Sequence, residues 1–209
     1  FCGLEFSVGP AVLIPRPETE LLIHQVIGRV QSLSEATIVD VGTGSGCVAV
    51  TLAARLNGQR IFAIDRSPEA LAVAQCNAMR HAVGDRIEWL EGDLLVPLRG
   101  RLSEGTVDVI VSNPPYISES DWAGLEPEVR VFEPRMALVG GEQGTEFHER
   151  LLRESREFLA PGGLLVMEIG ADQAPIVRQL AGQIGGYAGL RIIEDAARIE
   201  RVVMAQRLK

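Results

Sequence analysis

Asn113-Pro114-Pro115-Tyr116 follows the apolar run Val107-Asp108-Val109-Ile110-Val111, with Ser112 between. These residue types suit one demanding task. The nitrogen of an amide, or of an amino group on an aromatic ring, is a poor nucleophile because its lone pair is delocalised into the neighbouring π system. If the Asn113 side-chain oxygen and the Pro114 carbonyl each accept one N–H, the nitrogen is held with its lone pair aimed at an electrophile, and charge developing on it is stabilised. Pro114 and Pro115 stiffen the backbone, so both acceptors are placed in advance. Tyr116 offers a flat face for a planar amide. No general base is required, since the alkylated nitrogen becomes acidic and releases its proton to solvent. The plain alternative is a Pro-Pro turn leaving a strand.

Two other groups suit a nucleotide-like cofactor. Gly42-Thr43-Gly44-Ser45-Gly46 follows Thr37-Ile38-Val39-Asp40-Val41, and glycines there let the backbone approach a ligand closely. The spacing departs from G-x-G-x-x-G, because Cys47 occupies the third-glycine position, which weighs against a nicotinamide dinucleotide. Asp65 closes the next apolar run, Arg60 to Asp65, where its carboxylate could accept both hydroxyls of a ribose. Asp93 and Leu94 follow a third run and are placed to hold the amino group and face of an adenine. Turn or capping aspartates remain the alternative for Asp65 and Asp93.

These residues need elements to bring them together. Thr37–Val41, Arg60–Asp65, Ile87–Leu90, Val107–Val111 and Leu164–Ile169 read as strands; most are too continuously apolar to be exposed on either face. Helices are expected over Glu18 to Val30, Cys47 to Leu56, Ser67 to His81, Thr145 to Leu159 and Gln173 to Ile184. Alternating strands and helices predict an α/β fold, a doubly wound and mostly parallel sheet. Leu190–Glu194 and Arg201–Ala205 predict a C-terminal antiparallel hairpin. Phe1–Val8 and Ala11–Pro15 predict a short N-terminal β-hairpin, and Ile117 to Glu142 a long irregular stretch of the kind often tied to function.

Composition narrows the classes. The 209 residues, 46% hydrophobic and 23% charged, suit one globular domain. A net charge of -8 disfavours unaided binding to a phosphate backbone. Cys2, Cys47 and Cys76, like His24, His81 and His148, are too scattered for a disulfide framework or a metal site, so no metal is expected. Lacking a membrane-length apolar run or a leader pattern, the chain reads as soluble and cytoplasmic.

The sequence resembles the release-factor glutamine methyltransferases, the HemK/PrmC group of class I methyltransferases. The matching stretches are Val12-Leu13-Ile14-Pro15-Arg16-Pro17-Glu18-Thr19-Glu20, Val39 to Gly46, Val111 to Ile117, Phe132-Glu133-Pro134-Arg135 and Pro161-Gly162-Gly163-Leu164-Leu165. Asn-Pro-Pro-Tyr is shared with amino-group methyltransferases of DNA and RNA, whereas the first and fourth stretches narrow the likeness to this family. The resemblance implies a seven-stranded Rossmann-like domain over residues 33–209, preceded by a β-hairpin and helix over 1–32. It implies that S-adenosylmethionine lies against Gly42, Thr43, Gly44, Ser45, Gly46, Asp65, Leu94 and Asn113. Asn113, Pro114, Pro115 and Tyr116 would grip the glutamine of a release factor's Gly-Gly-Gln loop, with the chain acting as a monomer. Family members carry a small helical N-terminal docking domain, and this sequence is expected to begin just after it. Val131 departs from the acidic residue that many members place before Phe-Glu-Pro. The alternative activities are methylation of a base amino group in DNA or RNA, disfavoured by the net charge, and a nicotinamide enzyme or binding module, disfavoured by Cys47 and the intact Asn-Pro-Pro-Tyr.

Overall fold

The computed structural model describes residues 1–209. After a 3-10 turn at Pro17–Thr19, helix α1 spans Glu20–Val30 and β1 spans Thr37–Val41. There follow α2 (Cys47–Arg55), β2 (Arg60–Asp65), α3 (Pro68–Arg80), β3 (Ile87–Glu91) and β4 (Val107–Ser112). Next come β5 (Ile117–Ser118), α4 (Glu119–Trp122), α5 (Pro127–Phe132) and β6 (Val139–Gly141). The chain closes with α6 (Glu146–Phe158), β7 (Leu159–Glu168), α7 (Ala174–Ile184), β8 (Tyr187–Glu194) and β9 (Glu200–Arg207). Local signals explain the boundaries: α3 opens on Ser67, whose hydroxyl accepts the Ala70 N–H at 3.1 Å, with Pro68 as its first residue.

The seven long strands form one sheet in the order β3-β2-β1-β4-β7-β9-β8. β3 through β7 run parallel, and β9 and β8 complete the sheet antiparallel. Side chains of a strand alternate between faces. Ile38, Ile61, Val109 and Val166 accordingly pack with α1 and α2 on one face. Val39, Phe62, Ile110 and Leu165 pack with α6 and α7 on the other. This is the expected doubly wound fold. The chain reverses direction along the sheet between β1 and β4, and ligands of such folds bind beyond the strand carboxyl ends at that reversal. No helix is long and apolar enough to cross a membrane.

Three expectations are corrected. Phe1–Val8 and Ala11–Pro15 form no hairpin; they are coil and turns. Their backbone finds side chains of α3 instead: Ser7 N donates to Asn77 Oδ1 at 2.8 Å, and Asn77 Nδ2 donates to the Ser7 carbonyl at 2.9 Å. The apparent alternation has a counterpart in packing: Cys2, Leu4 and Phe6 are half-buried between exposed Gly3, Glu5 and Ser7, and Cys2 and Phe6 pack on the core cluster of the α1 face. Residues 117–142 are not irregular, since β5, α4, α5 and β6 lie within them. The strand expected over Leu164–Ile169 is longer: β7 already begins at Leu159, and its register with β4 shifts between Leu159 and Leu164.

Candidate active site

β1, β2 and β4 end side by side and deliver three functional groups to one edge. The glycine turn after β1, Asp65 at the end of β2, and Asn113 after β4 line a cleft open to solvent, together with Leu94, Pro114, Pro115 and Phe147. Gly42 and Gly44 adopt positive φ values of 71° and 55°. A Cβ added at Gly42 would meet nothing within 4 Å, and one at Gly44 only the Gly42 carbonyl at 3.9 Å, so the turn faces open space. Gly46 does something else. Its Cβ would lie 3.0 Å from the Ala74 Cβ, so this glycine lets α3 pack against the start of α2 and contributes no surface to the cleft.

Asp65 ties the turn to the neighbouring strand. Its Oδ2 accepts the Gly44 N–H at 2.9 Å and its Oδ1 the Ser67 N–H at 3.0 Å, which leaves further lone pairs of each oxygen for a ligand. Asp40 supports the turn from below, where its Oδ2 accepts the Thr43 hydroxyl at 2.6 Å and the Ala49 N–H at 3.1 Å. Burial pushes the Asp40 carboxyl up to about 7, against the pull of those two hydrogen bonds. Asp93 also reaches the cleft, but its carboxylate is paired with Arg150 of α6 at 2.8 Å. Leu94 holds a positive φ of 46° and is buried.

At the far end, Asn113 Nδ2 donates to Thr19 Oγ1 at 3.1 Å, and Thr19 Oγ1 donates to Glu168 Oε2 at 2.6 Å. Thr19 and Glu168 are both 2% exposed. Burial holds the Glu168 carboxyl up at about 7 despite hydrogen bonds from Thr19 and Tyr116. Tyr116 departs from the expected placement: it does not line the cleft, and its hydroxyl points to Glu168 Oε1 at 3.4 Å. The loop it belongs to is clamped by Gln173, whose Nε2 donates to the Tyr116 carbonyl at 2.8 Å. Gly140 and Gly144 allow a close approach here, since a Cβ would come within 2.4 Å of the Pro115 carbonyl oxygen and 2.5 Å of the Tyr116 one, respectively.

Thr19, Asp40, Glu168 and Gln173 had no place among the site residues expected from sequence. Thr19 and Asp40 stood inside quoted motifs, so a signal existed for them; Glu168 and Gln173 carried none. The structure also joins two of those motifs: Arg16 pairs with the buried Glu133 at 2.6 Å, and Arg16 and Pro134 both line the cleft.

A sheet of this order with a glycine turn, an aspartate and Asn-Pro-Pro-Tyr along one carboxyl edge defines a class I methyltransferase. The family model "Methyltransferase small domain" matches residues 17–125. In solved structures, a methyltransferase from Pyrococcus furiosus superposes with a TM-score of 0.71 at 19% identity, covering 99% of this chain and 90% of that one. A release factor glutamine methyltransferase of Moorella thermoacetica is 44% identical over 99% of this chain and 71% of its own length. One of Chlorobaculum tepidum is 43% identical over 96% and 69%. The chain belongs to the release factor glutamine methyltransferase family.

Proposed function

We propose that the protein transfers a methyl group from S-adenosylmethionine to the side-chain nitrogen, N5, of the glutamine in the Gly-Gly-Gln loop of a peptide chain release factor. The observation that carries this reading is the placement of Asn113 and Pro114 at the end of a cleft whose other walls suit a nucleoside. The open backbone of Gly42 to Ser45 would receive the polar end of the cofactor, Asp65 its ribose hydroxyls and Leu94 its adenine face. When bound, S-adenosylmethionine supplies a methyl carbon made electrophilic by a sulfonium. Asn113 Oδ1 and the Pro114 carbonyl would each accept one N–H of the substrate amide and fix its lone pair toward that carbon. The proton of the methylated nitrogen leaves to water, so no side chain acts as a base. Pro115 keeps the loop stiff, and Tyr116 supports it from behind rather than stacking on the substrate.

A macromolecular substrate is supported by the apolar rim. Val131, Phe132 and Met136 are 71%, 65% and 49% exposed, and Met136 lines the cleft itself. We place the enzyme in the cytoplasm, as a monomer whose cleft stays free for the factor. The test is transfer of labelled methyl groups to a release factor and to its loop variant with Gln replaced by Ala, with DNA and RNA in parallel. Label on the factor, abolished in the variant, is expected; label on nucleic acid alone would replace the reading with base methylation.

A further inference from the structure

We propose that Thr19 and Glu168 are positioning residues that set which end of the Asn113 side-chain amide faces the cleft. The inference rests on the reading of Asn113 as the acceptor for a substrate amide. An asparagine amide has an acceptor at one end and two donors at the other, with nearly the same shape. Turned by half a rotation it would present N–H groups to the N–H groups of the substrate, and binding would be repulsive where it should be attractive. A clamp built on Asn113 therefore needs a device that breaks this symmetry.

The hydrogen-bond chain behind Asn113 supplies it. A carboxylate only accepts, so ionised Glu168 takes the single hydroxyl proton of Thr19 across 2.6 Å. The Thr19 oxygen is then left with lone pairs alone on its other side, where it can accept and cannot donate. Asn113 must turn its Nδ2 toward it, at 3.1 Å, which directs Oδ1 away from Thr19. Oδ1 accepts no hydrogen bond from the chain, so it remains available to a substrate. Thr19 and Glu168 are shielded from water while Asn113 is half-buried at the cleft wall, and the three come from the turn before α1, the end of β7 and the residue after β4. Tyr116, donating to the other carboxylate oxygen of Glu168, holds that carboxylate in place from within the same loop.

The test is a double-mutant cycle on methyl transfer to the release factor at pH 8, above the Glu168 value of about 7, so that the carboxylate is ionised. Thr19→Val, which keeps the shape and loses the hydroxyl, is expected to lower kcat about tenfold with cofactor affinity unchanged, and Thr19→Ser to stay within about twofold of wild type. Glu168→Gln, which offers Thr19 a donor as well as an acceptor, is expected to lower kcat several-fold. In an Asn113→Ala background neither change should cost anything more. Cofactor binding reports that each variant is folded. A Thr19→Val enzyme with wild-type turnover, or a loss that persists in full in the Asn113→Ala background, would overturn the proposal. A second readout needs neither cofactor nor substrate: the Asn113 side-chain NH₂ signal in a ¹⁵N spectrum, identified by its absence in Asn113→Ala, should exchange slowly in wild type and rapidly in Thr19→Val. Equal exchange in the two would also overturn it. Failure of the substrate reading is recognised separately, as wild-type enzyme that labels no release factor.

Discussion

At the scale of single residues, the proposed function divides the work between Asn113 and Asp65. Asn113 stands where a transition state would develop charge, so Asn113→Ala should lower turnover by about two to three orders of magnitude while cofactor affinity stays near wild type. Asp65 lines the cleft where we propose the cofactor binds, and it also holds the Gly44 and Ser67 N–H groups. Asp65→Ala should therefore weaken cofactor binding first and turnover at saturation much less. Calorimetric titration of the cofactor beside steady-state kinetics separates the two. Wild-type turnover in Asn113→Ala, or wild-type affinity in Asp65→Ala, would refute the division.

At the scale of elements, the glycine turn contains two kinds of glycine. Gly44→Ala and Gly46→Ala both force a side chain into the left-handed region, at roughly 1–2 kcal/mol each. Only at Gly46 does the new Cβ also meet α3, 3.0 Å from the Ala74 Cβ. Gly46→Ala should show the larger drop in melting temperature, and Gly44→Ala the larger loss of cofactor affinity, because its methyl group enters the cleft. The reverse ranking would mean that the turn is seated otherwise. Helix α5, anchored at its end by the Arg16–Glu133 pair, offers a second test at this scale. Phe132→Asp puts a charge on the exposed rim and should raise KM for the release factor by about tenfold without touching cofactor affinity. An unchanged KM would exclude Phe132 from the docking surface.

At the scale of the whole molecule, two buried carboxyls couple stability to pH. Asp40 and Glu168 both rise to about 7, from ordinary values of 3.8 and 4.5, chiefly through burial. The folded state therefore binds more protons than the unfolded chain between those limits. Their stabilising contribution is complete below about pH 4 and lost as pH rises through about 7. The melting temperature should fall from pH 5 to pH 8, with a shallower slope in Glu168→Gln. An equal slope in that variant would remove Glu168 from the account.

Much of this protein was readable in its sequence because the signals are local. A buried parallel strand needs an apolar run, a helix start needs a cap such as Ser67, and close backbone approach needs glycines at Gly42 and Gly44; each is written within a few neighbouring residues. Those signals sufficed to place the glycine turn, Asp65 and Asn113 along one edge. Tertiary structure alone decided what surrounds them. Nothing near Phe1 to Val8 in sequence announces that Asn77 will satisfy its backbone and remove the expected hairpin. Nothing near Tyr116 turns its hydroxyl to Glu168, and nothing near Asn113 names Thr19 as the partner that orients it. Hydrogen bonds between residues so far apart in the chain depend on which strands end side by side, and only packing of the whole sheet fixes that.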